Sequence, residues 1–175
     1  MDVIDEPSLR KAGVPFPAES QFEQFYRSTR DGCLRAVVVA TGGGGDAEEL
    51  VAEAYARAWA RWAELNTHPS PAAWIVRTAV NLQRDRHRRD QRGLRLLPRI
   101  AESGAAPAVQ LAVDPAVLDA LRRLPQRQRE VVAYRVLLGL PTNRCAEILG
   151  IGEGSVATHL HRALAALRRS GVMTP

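Results

Sequence analysis

Long apolar runs, paired cysteines and strand-like alternation are all scarce in this sequence. No apolar stretch approaches the roughly 20 residues that a membrane-crossing helix needs, so no membrane insertion is expected. The two cysteines, Cys33 and Cys145, stand far apart and neither belongs to a CxxC pair. That spacing offers neither a zinc site nor a disulfide framework, and both are expected to be small buried thiols. No GxxxxGK[ST], HExxH, GxSxG or paired-acid constellation occurs, so no enzymatic activity, metal or cofactor is expected. The opening MDVIDEPSLR is acidic and lacks the basic start and apolar core of a signal peptide, which makes a cytoplasmic location the expectation. Lysine is nearly absent: Lys11 is the one lysine among 24 basic residues, the rest being arginine.

What is present is ordinary globular composition, 46% hydrophobic and 25% charged, with its charge unevenly placed. Residues 1–70 hold 7 basic against 11 acidic residues, whereas residues 71–175 hold 17 against 8. A basic back half suits a polyanion, and an acidic front half suits a basic protein surface. Charge runs are as often only solvated faces, so this observation alone decides nothing.

Helix signals recur along the chain. Ser20 and Glu23 have capping-box spacing, and Phe22, Phe25, Tyr26, Leu34, Val37 and Val38 supply apolar contacts for one helix or two. GGGG at 42–45 breaks the chain, and Asp46 is placed to cap a second helix, DAEELVAEAYARAWARW. Its apolar stripe is Val51, Tyr55, Ala58, Trp59 and Trp62. After the loop NTHPSP, Ser70 and Pro71 read as the cap and first residue of a third helix that buries Ile75, Ala79 and Leu82. Residues 93–113 mix Gly, Pro and Ala without a period and read as a flexible linker. Asp114-Pro115 opens a second helical unit. The expected architecture is all-α: an extension over 1–19, a front domain over 20–92, the linker, and a back domain over 114–172.

The back domain ends in GLPTNRCAEILGIGEGSVATHLHRALAALRR. Ala146, Leu149, Ile151, Val156 and Leu160 surround Gly150, the pattern of two crossing helices joined by a tight turn. On the second of these, Val156, Leu160, Ala163 and Leu167 face inward, and Ser155, Thr158, His159, Arg162 and Arg169 occupy the other side. Arginine forks can bond guanine edges, and Ser, Thr and His can reach phosphates or bases. A plain helical hairpin with a solvated arginine face fits the same spacing.

These segments also resemble a known family. LRRLPQRQREVVAYRVLLGLPTNRCAEILGIGEGSVATHLHRALAALRR is similar to region 4 of bacterial RNA polymerase sigma factors of the extracytoplasmic-function group, and FEQFYR, DAEELVAEAYARAWARW and AWIVRTAVNLQRDRHRR to their region 2, in the same order. The resemblance implies that the chain docks on core RNA polymerase, region 2 on the clamp coiled coil and region 4 on the flap. It further implies promoter DNA as a partner, melted and held as a single strand at the −10 element and read as duplex at −35. An anti-sigma factor is a possible further partner. Carried over, Asp46, Glu48, Glu49 and Glu53 match the polymerase-binding helix, Trp74, Arg77, Asn81, Arg84 and Arg88 the −10 surface, and Ser155, Thr158, His159 and Arg162 the −35 surface. Arg86 and Arg89 join Arg84 and Arg88 as expected phosphate contacts.

The sequence also departs from the family. Pro71 stands where an aromatic is frequent, Val76 where a tyrosine is, Ala157 where a basic residue is usual and His159 where arginine is. Lost rings near the melting loop imply weaker melting and a narrow promoter set. Cys145, smaller than the usual isoleucine, is expected to loosen packing by roughly 1 kcal/mol. Two further readings stay open: a stand-alone helix-turn-helix regulator, which would bind duplex DNA without polymerase, and a polymerase-binding decoy, which would fail to open DNA.

Overall fold

The computed structural model describes residues 17–43, 46–93 and 114–172, and every regular element among them is helical. In order these are α1 (Pro17–Thr41), α2 (Ala47–Ala60), the single turn α3 (Trp62–Leu65), α4 (Pro71–Gly93), α5 (Pro115–Arg122), α6 (Gln126–Val132), α7 (Thr142–Leu149) and α8 (Glu153–Arg169). The last turn of α6 widens into a π-helical segment, Ala133–Leu137. The all-α architecture is as expected. The expected extension and linker lie almost wholly outside the described residues, except that α1 begins at Pro17 and α4 runs through Gly93.

The two halves are not held apart. Helix α1 packs against α2 and α4 on one side and against α6 and its π-helical turn on the other. The reason is legible in Ala36-Val37-Val38-Val39-Ala40, where all five side chains are buried. A helix that is apolar all round needs partners on every flank, and β-branched valines add little intrinsic helix preference. This stretch is therefore helical because both layers enclose it, and one continuous apolar core runs through both halves.

Local signals behave as their chemistry dictates, with some exceptions. Asp114 caps α5 by accepting from the Ala116 amide at 2.8 Å, with Pro115 next. Ser20 lies inside α1 rather than at its start, because the helix extends back to Pro17. Asp46 occupies the cap position of α2, but its side chain makes no capping bond. Helix α2 breaks at Arg61, and Trp59, expected in the apolar stripe, is 45% exposed while Val51, Tyr55, Ala58 and Trp62 are buried. Trp59 instead packs on Phe22, 5.1 Å between ring centroids, at the rim of a cluster with Phe25, Tyr55 and Trp62. Ile75, Ala79 and Leu82 are buried as expected.

In the C-terminal pair, Gly150 ends α7 at φ +64°, ψ 39°, the left-handed turn that a glycine accepts without a Cβ clash. The Ile151 amide then donates back to the Ala146 carbonyl at 3.1 Å, and α8 starts after Gly152. Val156, Ala163 and Leu167 are buried, with Leu160 partly so. Cys145 is fully buried and its thiol reaches toward the Leu140 carbonyl. Space is open around Gly150, so only the backbone conformation opposes a side chain there. Gly150→Ala is expected to lower stability by about 1–2 kcal/mol, read as a lower urea midpoint with an unchanged slope.

Candidate nucleic-acid interface

Helix α4 carries the face expected to meet a separated strand, and the structure divides that face in two. On the flank toward α2, Trp74 and Asn81 line an open groove together with Thr78, Leu82 and Asp85 of α4 and Arg57 and Arg61 of the α2 end. A half-buried indole beside an exposed amide is suited to an unstacked base, and the two guanidinium groups beside it, paired with Glu53 at 2.6 Å and Glu64 at 2.9 Å, keep further N–H donors for a phosphate. Thr78 and Asp85 were not singled out from the sequence, although they follow Trp74 by four and eleven positions, the same helical side. On the other flank, Arg77 donates to the Ile148 carbonyl of α7 and Arg84 to the Glu130 carboxylate of α6. Arg88 pairs with Asp85 at 2.6 Å, and Arg89 donates to the Asp85 carbonyl at 3.3 Å. The five expected residues thus share one helix but not one environment.

Two substituted positions read differently once placed. Val76 is fully buried, so its side chain packs in the core and contributes nothing to a DNA-facing ring set. Pro71 begins α4, where its fixed φ and missing amide hydrogen suit the first helical position.

The acidic side of α2 is partly spent internally. Arg86, expected to touch phosphate, turns back from α4 and bonds Glu49 at 2.8 Å and Glu53 at 3.1 Å. Glu53 also accepts from Arg57 at 2.6 Å. Burial pushes the Glu53 carboxyl up, but the bonds from Arg57 and Arg86 outweigh it and hold the carboxyl below its ordinary range. The bond that Arg86 donates to Glu49 leads the effects that raise its guanidinium pKa. Asp46 and Glu48 are exposed and, among the described residues, carry no ion pair. The outward charge of this face therefore rests on Asp46 and Glu48 with part of Glu49, while Glu53 clamps α2 to α4.

On α8, Ser155, Thr158 and Arg162 are exposed, while Val156, Ala163 and Leu167 face the core. Thr158 donates its hydroxyl to the Gly154 carbonyl at 2.8 Å, which leaves its oxygen free to accept. His159 is half-buried, and its Nδ1 is enclosed without a hydrogen-bond partner. It is less available than the other three.

Residues 25–93 match the family Sigma-70 region 2, and residues 115–167 match Sigma-70, region 4. The chain belongs to the sigma-70 family, in its extracytoplasmic-function group. It is 32% identical over 151 residues to the RNA polymerase sigma-E factor of Streptomyces coelicolor, covering 85% of this chain and 84% of that one. It is 33% identical over 135 residues to the ECF sigma factor SigL of Mycobacterium tuberculosis, covering 73% and 76%. With SigW of Bacillus subtilis the identity is 27% over 139 residues, covering 71% and 74%. The solved structure of the sigma factor RpoE with the anti-sigma factor NepR, from Bartonella quintana, aligns with a TM-score of 0.68 at 19% identity, over 89% of this chain and 99% of that one. At that identity the likeness concerns the fold. Among the described residues of this sigma factor, no helix is long and apolar enough to cross a membrane.

The Glu53 clamp sets a pH dependence. Because folding lowers this pKa, its contribution is complete above the unfolded carboxyl value of about 4.3 and is lost as pH falls through the lower folded value. Glu53→Gln is expected to be less stable than wild type at neutral pH, by at most about 1 kcal/mol at so exposed a site. Urea unfolding at a series of pH values should show that difference vanish in acid.

Proposed function

We propose that this sigma factor recruits core RNA polymerase through the exposed acidic face of α2 and directs promoter-specific initiation, α8 reading the −35 duplex while the groove beside α4 holds the separated −10 strand. The observation that carries this reading is the groove itself. It sets Trp74 and Asn81 among Arg57 and Arg61, while Glu48 is exposed on α2. Opening DNA costs about 1.4 kcal/mol per base step, and stacking a base in the groove while arginines hold its phosphates offsets that cost. Such work has no reaction of its own and takes place where the chromosome is, in the cytoplasm. An anti-sigma factor is a natural further partner, given that RpoE was solved with NepR. The proposed region 2 and region 4 domains keep the limits 20–92 and 114–172, with the residues between them as the connection.

The test is transcription reconstituted from core polymerase, this chain and a library of genomic promoter fragments. Specific transcripts are expected; their absence across the library excludes the reading. A stand-alone regulator would instead bind duplex sites tightly with no polymerase present. Glu48→Lys is expected to weaken association with core enzyme about tenfold, because it reverses an unpaired charge without disturbing the Arg86 clamp. A pull-down or anisotropy titration with core enzyme measures it. Arg162→Ala is expected to cost about 1–3 kcal/mol of holoenzyme affinity for −35 duplex if it reads a base. Asn81→Ala should leave that affinity unchanged and reduce strand opening, followed by permanganate reactivity of unpaired thymines.

A further inference from the structure

We infer that Asp85 is a specificity residue of the α4 groove: its carboxylate accepts a base that bears an exocyclic amine and turns thymine away. This rests on the promoter reading above and deepens it by assigning the chemistry of one base position. A groove suited to a polyanion gains no affinity from a negative side chain, yet Asp85 lines it, the one acid among the lining residues. It is not there to hold the groove's cations, because Arg57 pairs with Glu53 at 2.6 Å and Arg61 with Glu64 at 2.9 Å. Its Oδ1 accepts from Arg88 at 2.6 Å, and Arg89 donates to its main-chain carbonyl at 3.3 Å. Oδ2 has no partner among the described residues, and the side chain is 53% exposed. Arg88 therefore offsets the charge that would repel a phosphate, and one oxygen stays uncovered.

Spacing along the helix decides what that oxygen can reach. Trp74 and Asp85 are eleven positions apart, about 16 Å along the axis, so a base stacked on the indole lies beyond Asp85. Asn81 and Asp85 are four positions apart, about 6 Å, and line the same groove. These two form a second reading point, for a neighbouring base of the same strand. Asn81 Oδ1 takes a long bond from Arg84, at 3.5 Å, and the amide nitrogen of Asn81 is free among the described residues. The pair thus sets N–H donors beside an acceptor that cannot donate. Cytosine, adenine and guanine each have an exocyclic amine to give to Oδ2 and an acceptor left for Asn81. Thymine has no amine, and its O4 would face the carboxylate with no hydrogen between them.

The experiment uses holoenzyme reconstituted from core polymerase and the full chain, as wild type, Asp85→Asn and Arg88→Ala. Each is given a pool of single DNA strands of random sequence, and the retained strands are sequenced, with core enzyme alone as background. The wild type should enrich a motif with one position at which thymine is depleted about tenfold, within the range of one good base contact. Asp85→Asn keeps the shape but replaces an obligate acceptor by an amide that can also donate to O4. It should cut that depletion to about twofold or less and leave the rest of the motif unchanged. Arg88→Ala should lower retention of all sequences alike and keep the depletion, because a phosphate contact sets affinity rather than sequence. A motif with no such position, or one that Asp85→Asn leaves unchanged or weakens evenly, overturns the inference while the promoter reading stands. So does a depletion that Arg88→Ala removes as fully as Asp85→Asn. If wild-type holoenzyme enriches no motif over core enzyme, strand capture itself fails, and the promoter reading falls together with the inference.

Discussion

The second half of α1 must be covered on all sides, and the architecture follows from that requirement. Five consecutive buried residues, Ala36 to Ala40, leave this helix no solvent-facing stripe. α2 and α4 enclose it from one direction and α6 with its π-helical turn from the other. The aromatic cluster at the far end of α1 satisfies the helix within its own domain. Thr29 donates to the Phe25 carbonyl at 2.6 Å, which commits its one hydroxyl hydrogen, so the Tyr55 hydroxyl donates to Thr29 at 2.8 Å. One end of the helix is thus self-sufficient, and the other depends on the neighbouring domain.

Electrostatics is arranged on the same plan. Helix α4 has arginines along most of its length, but their partners differ in kind. Arg86 faces inward to two glutamates of α2. Arg77 and Arg84 face the second domain, and Arg88 stays with its own helix through Asp85. A basic count read from sequence cannot distinguish cations already committed to internal acceptors from those left for a polyanion. The same holds for α2, where Glu53 is a structural clamp and Glu48 is not.

Much of the fold was legible beforehand because its signals are local. Asp114-Pro115, Gly150 and the period of Ile75, Ala79 and Leu82 each act within one helical turn, and each appears where expected. The positions that misled are those decided at a distance. Trp59 fits the apolar period of α2 yet lies at the rim, because Phe22 covers only part of it. Val76 resembled a surface departure and is core. The site was legible as residue types on a helix, while its division into an open groove and an occupied flank depended on how the domains pack. Glu130 lies in the R-Q-R-E run, but nothing local marks it as the buried acceptor across the interface.

The cations at the domain interface are guanidinium groups throughout: Arg77, Arg84, Arg122 and Arg129. A guanidinium keeps its proton throughout the biological pH range and has no primary amine for acyl transfer. Neither alkalinity nor lysine-directed modification therefore has a grip on this seam, and Lys11 is the one lysine in the chain. The polar part of the interface therefore keeps its charge and its donor geometry under conditions that would neutralise an amine.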